Sequence, residues 1–196
     1  SLEQMARLKR SVLERAVDGV VLNADDPYCL AMPAGLRAKT VFLVSMQRSL
    51  GELRGCHAHC DHFALLEPAD GEEWIVLYDH GTRIPVMPVA QIPASCGGLA
   101  RHNVSNALHA IAAGYLCGGI EVAAMRASLA RFVMDFEHTP GRLNFHDAGA
   151  IRFLVDYAHN PDGIAKLCEF VDRLQPAGRK LVAFSAAGYN PEAAVS

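Results

Sequence analysis

The sequence predicts an α/β protein in two parts, and three observations carry that prediction. Short apolar, β-branched runs at residues 19–22 and 40–45 follow a stretch of helical periodicity. A hairpin-like pattern from 60 to 90 extends the strands before two further helical stretches. Beyond a turn-rich boundary, Glu137-His138-Thr139-Pro140-Gly141, strands and a helix alternate again. With 196 residues, 51% of them hydrophobic, the chain can bury one large core or two small ones.

Each element has its own signal. Met5, Leu8, Val12, Leu13 and Ala16 recur at helical spacing, which predicts a helix over 4–17. The run 19–22 ends in Asn23-Ala24-Asp25-Asp26-Pro27, a strand leading into a helix with Asp26 as N-cap and Pro27 at the first helical position. Residues 40–45 read as a second buried strand. Strands near 62–66, 74–78 and 83–89 are separated by the turn residues Asp70-Gly71 and His80-Gly81. After Cys96-Gly97-Gly98, the residues Val104, Ala107, Leu108, Ile111, Ala112 and Tyr115 repeat on one helical face until Gly118-Gly119. A second helix is expected over 120–133. Past the boundary, 143–145 and 151–156 read as a strand pair. A helix over 161–174 and a strand over 180–184 then give a βαβ unit.

Composition excludes several classes. The net charge of -3, with no basic run, argues against nucleic acid as the main partner. No apolar stretch approaches the roughly 20 residues that a membrane span needs. The opening Ser1-Leu2-Glu3-Gln4-Met5 is not a secretory signal. Six cysteines at irregular spacings read as reduced thiols, not a disulfide framework. The expectation is a soluble, cytoplasmic protein. There is no starting Met, the chain opens inside a helix, and it stops just after a strand-like run. Both ends read as cuts, so the chain is expected to be a piece of a longer protein.

Beside Asn23-Ala24-Asp25-Asp26-Pro27, three polar blocks stand out. In Arg101-His102-Asn103-Val104-Ser105-Asn106 the two Asn are three apart, so their amides share one helical stripe. Each offers a donor and an acceptor, as reading an adenine edge requires. The alternative is that Asn103 caps the helix and Asn106 is solvated. Pro140-Gly141-Arg142 sets a guanidinium just past the boundary, suited to bidentate phosphate contact, or is a surface Arg after a turn. Asp156 ends an apolar strand, where α/β sheets form their ligand crevice, and His159 follows before a helix. Asp156 and Asn160 could equally serve only to shape the turn and cap the helix.

Two further features bear on metals and phosphates. The cluster Cys56-His57-Ala58-His59-Cys60-Asp61-His62 has zinc-competent side chains, but its spacing matches no zinc pattern, and a His-rich loop is expected. No G-x-x-x-x-G-K-[ST] phosphate loop occurs anywhere.

Asn23-Ala24-Asp25-Asp26-Pro27, Arg101 to Asn106, Pro140-Gly141-Arg142 and Asp156-Tyr157-Ala158-His159-Asn160-Pro161-Asp162, in this order and spacing, resemble the Mur ligase superfamily of ATP-dependent amide-forming ligases. Met5 to Arg10, Asp18 to Pro27, Gln91-Ile92-Pro93-Ala94, Gly97 to Asn103 and Thr139 to Asn144 further resemble the Mur-ligase-like region of the cyanophycin synthetase family. The resemblance covers nearly the whole chain and thins between Met46 and Asp70.

This resemblance implies a partial Mur-ligase central domain with a β-hairpin extension over 1–138, its phosphate loop and metal-binding acid and His lying upstream. Residues 139–196 would start a Rossmann-like C-terminal domain, truncated here. ATP and Mg²⁺ are the implied cofactors. The implied partners are aspartate and a peptide polymer, with no nucleic acid or membrane, in a homo-oligomeric parent. In such enzymes ATP activates the end carboxylate of a poly-aspartate chain as an acyl phosphate, which the amine of an incoming aspartate attacks.

By resemblance, Asn103 and Asn106 would hold adenine, Asp156 the ribose, and Arg142 and His159 the phosphate side, the latter two as catalytic residues. Lys9, if carbamylated, would support magnesium; the alternative is an ordinary solvated Lys. The parent is expected to be active and the isolated piece inactive. A muramyl-peptide ligase or a folylpolyglutamate synthase is the alternative within the class. A non-catalytic nucleotide-binding or interaction remnant is the alternative outside it.

Overall fold

A computed structural model describes residues 1–118, 120–175 and 178–184. The chain forms two compact units, Ser1–Gly98 with His102–Phe132, and Leu99–Arg101 with Val133–Ser196. The α/β class expected from the sequence is the observed one. Among the described residues no helix is long and apolar enough to cross a membrane.

In the first unit, α1 (Leu2–Leu13) opens on a capping box in which the Ser1 hydroxyl accepts from the Gln4 N–H. It ends at Leu13, short of residue 17. The N–H groups of Arg15 and Ala16 turn back three residues to Val12 and Leu13, so the last turn tightens and closes. The helix buries no residue and leaves Leu2, Met5, Leu8 and Val12 exposed.

β1 (Gly19–Asn23), β2 (Thr40–Ser45), β3 (His62–Ala69), β4 (Glu72–Asp79) and β5 (Thr82–Pro88) form one mixed sheet in chain order. The first three strands run parallel, with Gly19 opposite Thr40 and Phe42 opposite His62. β3, β4 and β5 are antiparallel neighbours. Their turns have both central residues at positive φ: Asp70 at 54° with Gly71 at 80°, and His80 at 48° with Gly81 at 85°. That is the twist a two-residue hairpin needs.

β3 runs three residues beyond its predicted end, through Glu67 and Pro68. It pairs with β2 only as far as Leu65, so Pro68 lies where no β2 partner requires its missing N–H. The core is built from continuous buried runs of the central strands, Phe42–Ser45, Phe63–Leu65 and Ile75–Tyr78, so the sheet is covered on both faces there.

The short α2 (Pro27–Leu30) starts as predicted, with Asp26 Oδ1 accepting from the Cys29 N–H at 2.8 Å. α3 (Leu50–Cys56) was not foreseen. Its signal was Ser49-x-x-Glu52, a reciprocal capping box, masked by the helix-weakening Gly51 and Gly55.

α4 (Arg101–Leu116) buries Val104, Ala107, Leu108, Ile111 and Ala112 as its periodicity required. It closes at Gly118, whose φ is 69°; Gly119, the other half of the expected stop, lies outside the described residues. α5 (Val122–Arg131) is shorter than expected at both ends, because Glu121 and Phe132 are extended.

The second unit contains an antiparallel hairpin, β6 (Asn144–Ala148) and β7 (Ile151–Val155), with Asn144 opposite Val155. The predicted first strand began one residue too early, for Leu143 is left-handed at φ 51°. α6 (Pro161–Arg173) is capped by Asn160, whose Oδ1 accepts from the Gly163 N–H at 2.8 Å. It buries Phe170, whose ring centroid lies 6.1 Å from that of Phe145. The strand predicted at 180–184 is not formed, which is a correction to the βαβ unit. A strand needs a neighbouring edge for its backbone groups. No strand pairs with this segment among the described residues, and Leu181 and Val182 are 88% exposed.

Candidate functional site

The boundary segment and the carboxyl end of β7 build one cluster in the second unit. Gly141 turns the chain at φ 73° and Leu143 follows at φ 51°. A non-glycine left-handed residue is unfavourable by about 1 kcal/mol, so its neighbours must hold it. Asn144 is fully buried and does so with both ends of its amide: its Oδ1 accepts from the Gly141 N–H at 2.6 Å, and its Nδ2 donates to the Arg142 carbonyl at 3.0 Å. Asp156, just past β7, completes the latch, with Oδ2 accepting from the Leu143 N–H at 2.9 Å.

The loop thereby presents Arg142 outward. Its guanidinium lies over the Tyr157 ring, 5.2 Å from the centroid, a cation–π contact. Tyr157 in turn packs against His159, with ring centroids 5.0 Å apart. His159 Nδ1 sits 2.9 Å from the Tyr157 carbonyl. A carbonyl can only accept, so Nδ1 carries hydrogen and Nε2 is the nitrogen left for an incoming group. Arg142, Asp156 and His159, separated in sequence by up to 17 positions, therefore meet around one loop. Tyr157 and Asn144 are the residues that join them. Neither was singled out from the sequence, although an Asn directly after Gly-Arg-Leu was a polar residue entering a strand and could have been questioned.

The other expected site residues belong to the first unit. Asn103 is buried, and its Nδ2 donates to the Ala94 carbonyl at 2.8 Å. Asn106 is exposed, and its Nδ2 donates to Asn103 Oδ1 at 3.2 Å. The pair does share one stripe of α4, with Asn103 inward and Asn106 outward. Lys9 is exposed on α1. Its neighbour Arg10 ties the helix down, donating to the carbonyls of Met32 at 3.1 Å and Ala34 at 2.5 Å.

The block Asn23-Ala24-Asp25-Asp26 sits at the carboxyl ends of β1 and β2 and is bonded internally. Asp25 accepts from the Ser45 hydroxyl at 2.5 Å and the Met46 N–H at 2.8 Å, and Arg48 Nε donates to the Ala24 carbonyl at 3.0 Å.

No family model matches the chain. Cyanophycin synthetase of Crocosphaera subtropica is 34% identical over 173 residues, covering 87% of this chain and 19% of that protein. The Synechocystis cyanophycin synthetase is 33% identical over 174 residues, with the same two coverages of 87% and 19%. The chloroplastic MurE homologue of Arabidopsis thaliana, a UDP-N-acetylmuramoyl-L-alanyl-D-glutamate–2,6-diaminopimelate ligase by name, is 34% identical over 90 residues, 45% of this chain and 11% of that protein. This chain is a Mur ligase superfamily homologue.

The resemblance read from the four blocks therefore holds, both to cyanophycin synthetases and to the wider superfamily. The chain spans about a fifth of the length of the cyanophycin synthetases it matches, 19% in each case given above. As a Mur ligase homologue it carries its family blocks in two states. Asn23 to Asp26 and Asn103 are drawn into internal bonds, whereas Arg142, His159 and Asn106 remain exposed.

Proposed function

We propose that the protein carrying this chain is an ATP-dependent acid–amino-acid ligase that adds aspartate to a poly-aspartate backbone through an acyl phosphate. The observation that carries the reading is the exposed Arg142–Tyr157–His159 ladder latched to Asp156. It assembles the cation, imidazole and carboxylate that the family resemblance assigns to the phosphate and ribose side.

ATP supplies the phosphoryl group that makes the substrate carboxylate a good electrophile, and Mg²⁺ offsets charge on the phosphates. This chain's own residues bind and orient. Arg142, pre-set by Asn144 and Tyr157, offers two parallel N–H donors to phosphoryl oxygens. His159 adds a donor at Nε2 when protonated. Asp156 keeps Oδ1 for a ribose hydroxyl while Oδ2 holds the loop. Asn106 meets the adenine edge and Asn103 fixes its amide. Lys9 as an amine is a cation and no metal ligand, so its magnesium role requires carbamylation.

In this reading residues 1–138 form the later part of the central ATP-binding domain, and residues 139–196 start a Rossmann-like C-terminal domain. The parent is a cytoplasmic homo-oligomer acting on aspartate and a peptide polymer. The match to the chloroplastic MurE homologue supports a second reading, a muramyl-peptide ligase.

One assay separates them. The full-length protein with ATP and Mg²⁺ is given a poly-aspartate primer plus aspartate, or the UDP-muramyl dipeptide plus diaminopimelate. Phosphate release and product mass are followed. Primer extension supports the first reading, and Arg142→Ala is expected to lower kcat/KM by at least about a hundredfold, as loss of a charge-stabilising group does. Ligation of diaminopimelate alone moves the assignment to the second. Phosphate release with neither pair sinks the ligase reading.

A further inference from the structure

The sheet of the first unit holds a second group of chemistry-bearing side chains. His62 opens β3 directly opposite Asp79, the last residue of β4, and His80 follows in the left-handed turn. The His80 N–H donates to the Asp61 carbonyl at 3.0 Å, which pins that turn beside the start of β3. His62 Nδ1 is 3.2 Å and His80 Nδ1 2.6 Å from the same oxygen, Asp79 Oδ1. One ligand atom from each of the three residues lies within 4.8 Å of the others. The imidazoles meet edge to face, with ring centroids 4.8 Å apart.

Two independent features point to a missing ligand. His62 Nδ1 is buried without a hydrogen-bond partner, because its approach to Asp79 lacks hydrogen-bond geometry. A buried polar atom left so is rare and calls for a partner. The other carboxylate oxygen, Asp79 Oδ2, is held by the Tyr115 hydroxyl at 2.7 Å. That is how outer-shell hydrogen bonds orient a metal-ligating carboxylate.

We propose that His62, Asp79 and His80 form a binding site for a zinc-class divalent ion. Two imidazoles and one carboxylate are a donor set for Zn²⁺, whereas the hard ions Ca²⁺ and Mg²⁺ take oxygen ligands in preference to imidazole. A tetrahedral ion with bonds of about 2.0–2.1 Å separates its ligand atoms by about 3.3 Å. The 3.2 Å pair already fits, and the 2.6 Å pair opens with a small rotation of the exposed His80 ring. The fourth position is left to water. The ion would clasp the start of β3 to the end of β4 and, through Tyr115, to α4. The conspicuous cluster from Cys56 onward contributes only His62 to this group.

The test uses the full chain, stripped with a chelator and titrated with ZnCl₂ in a non-coordinating buffer by calorimetry. We expect one ion per chain with micromolar or tighter affinity, and saturation should raise Tm by about 5–10 °C. His80→Ala, at an exposed position, should fold normally by circular dichroism and bind at least tenfold more weakly. Asp79→Asn should do the same. His57→Ala and His59→Ala should leave the affinity unchanged, and ¹⁵N shifts of the His62 and His80 rings should move on titration. The proposal is overturned if the chain binds no zinc. It is equally overturned if binding survives His80→Ala and Asp79→Asn, or if it disappears with His57 or His59 instead.

Discussion

Asn144→Ala isolates what holds the Arg142 loop. The substitution deletes the 2.6 Å acceptor of the Gly141 N–H and the 3.0 Å donor to the Arg142 carbonyl. Gly141 and Arg142 are not buried, so water can replace the lost side chain, and each bond counts near its net value of about 1 kcal/mol. Emptying a fully buried site adds a small cavity term, giving about 2–3 kcal/mol in all. Because the loop also carries the unfavourable left-handed Leu143, this loss should open the loop before it unfolds the chain. Amide hydrogen exchange by NMR reads it directly. At about 1.4 kcal/mol per tenfold, the Gly141 amide should lose about thirty- to a hundredfold of its protection. The Leu143 amide, still bound to Asp156, should lose less. Gly141 protection that survives the substitution would refute the latch. So would an equal loss at every amide, which would mean Asn144 serves global stability.

Three further outcomes follow from other elements. Ser49→Ala removes the hydroxyl that accepts from the Glu52 N–H and should destabilise by about 1 kcal/mol, read as a lower urea midpoint with unchanged slope. Gly19→Ala would place its Cβ 2.5 Å from Leu116 Cδ1. That side chain is only half-buried and can rotate, so the loss should stay near 1–2 kcal/mol, and a larger one would mean Leu116 is fixed.

Tyr115 and Asp79 give a pH test. The Tyr115 hydroxyl, then His80, hold the Asp79 carboxyl below its ordinary value, while the same bond, then burial, pushes Tyr115 up to about 12. The lowered carboxyl stabilises above its unfolded value near about pH 4, and that contribution is lost as pH falls through the lowered folded value. The raised phenol stabilises below about pH 10, and that contribution is lost as pH climbs through the folded value. Tyr115→Phe should therefore cost about 1 kcal/mol at pH 7, converge with the parent chain in acid, and abolish the highest tyrosinate absorbance step.

The sequence was most readable where one element states itself locally. Asp26 before Pro27, the α4 periodicity and the two Gly-containing turns each produced the element they signalled. It failed where a neighbour decides. β3 runs on through Glu67 and Pro68 because β4 pairs with it there while β2 does not. Residues 180–184 look like a strand and are not one, because strand character without an adjacent edge cannot satisfy its backbone. His62 and Asp79 lie 17 positions apart and become partners only through the register of one hairpin. By contrast the seven-residue run from Cys56 drew notice by its density, and density along the chain is a poor guide to proximity in space.

The same distinction separates site candidates whose polar groups are bonded internally from those that keep polar atoms at the surface. Asn103 and Asn144 are buried, with their amides bonded to backbone carbonyls or N–H groups, and Asp25 holds Ser45 and Met46. Their chemistry is spent on setting loops, and replacing them should perturb placement first. Arg142, His159 and Asn106 keep polar atoms at the surface, Arg142 on the loop that Asn144 holds and Asn106 on α4. Asp156 does both, with one oxygen on the Leu143 N–H. Asp156→Asn keeps an acceptor for that N–H but removes the charge. Its effect on nucleotide affinity should therefore exceed its effect on Gly141 and Leu143 exchange, whereas Asn144→Ala should show the reverse order. A carboxylate that merely shaped the turn would give the same order for both.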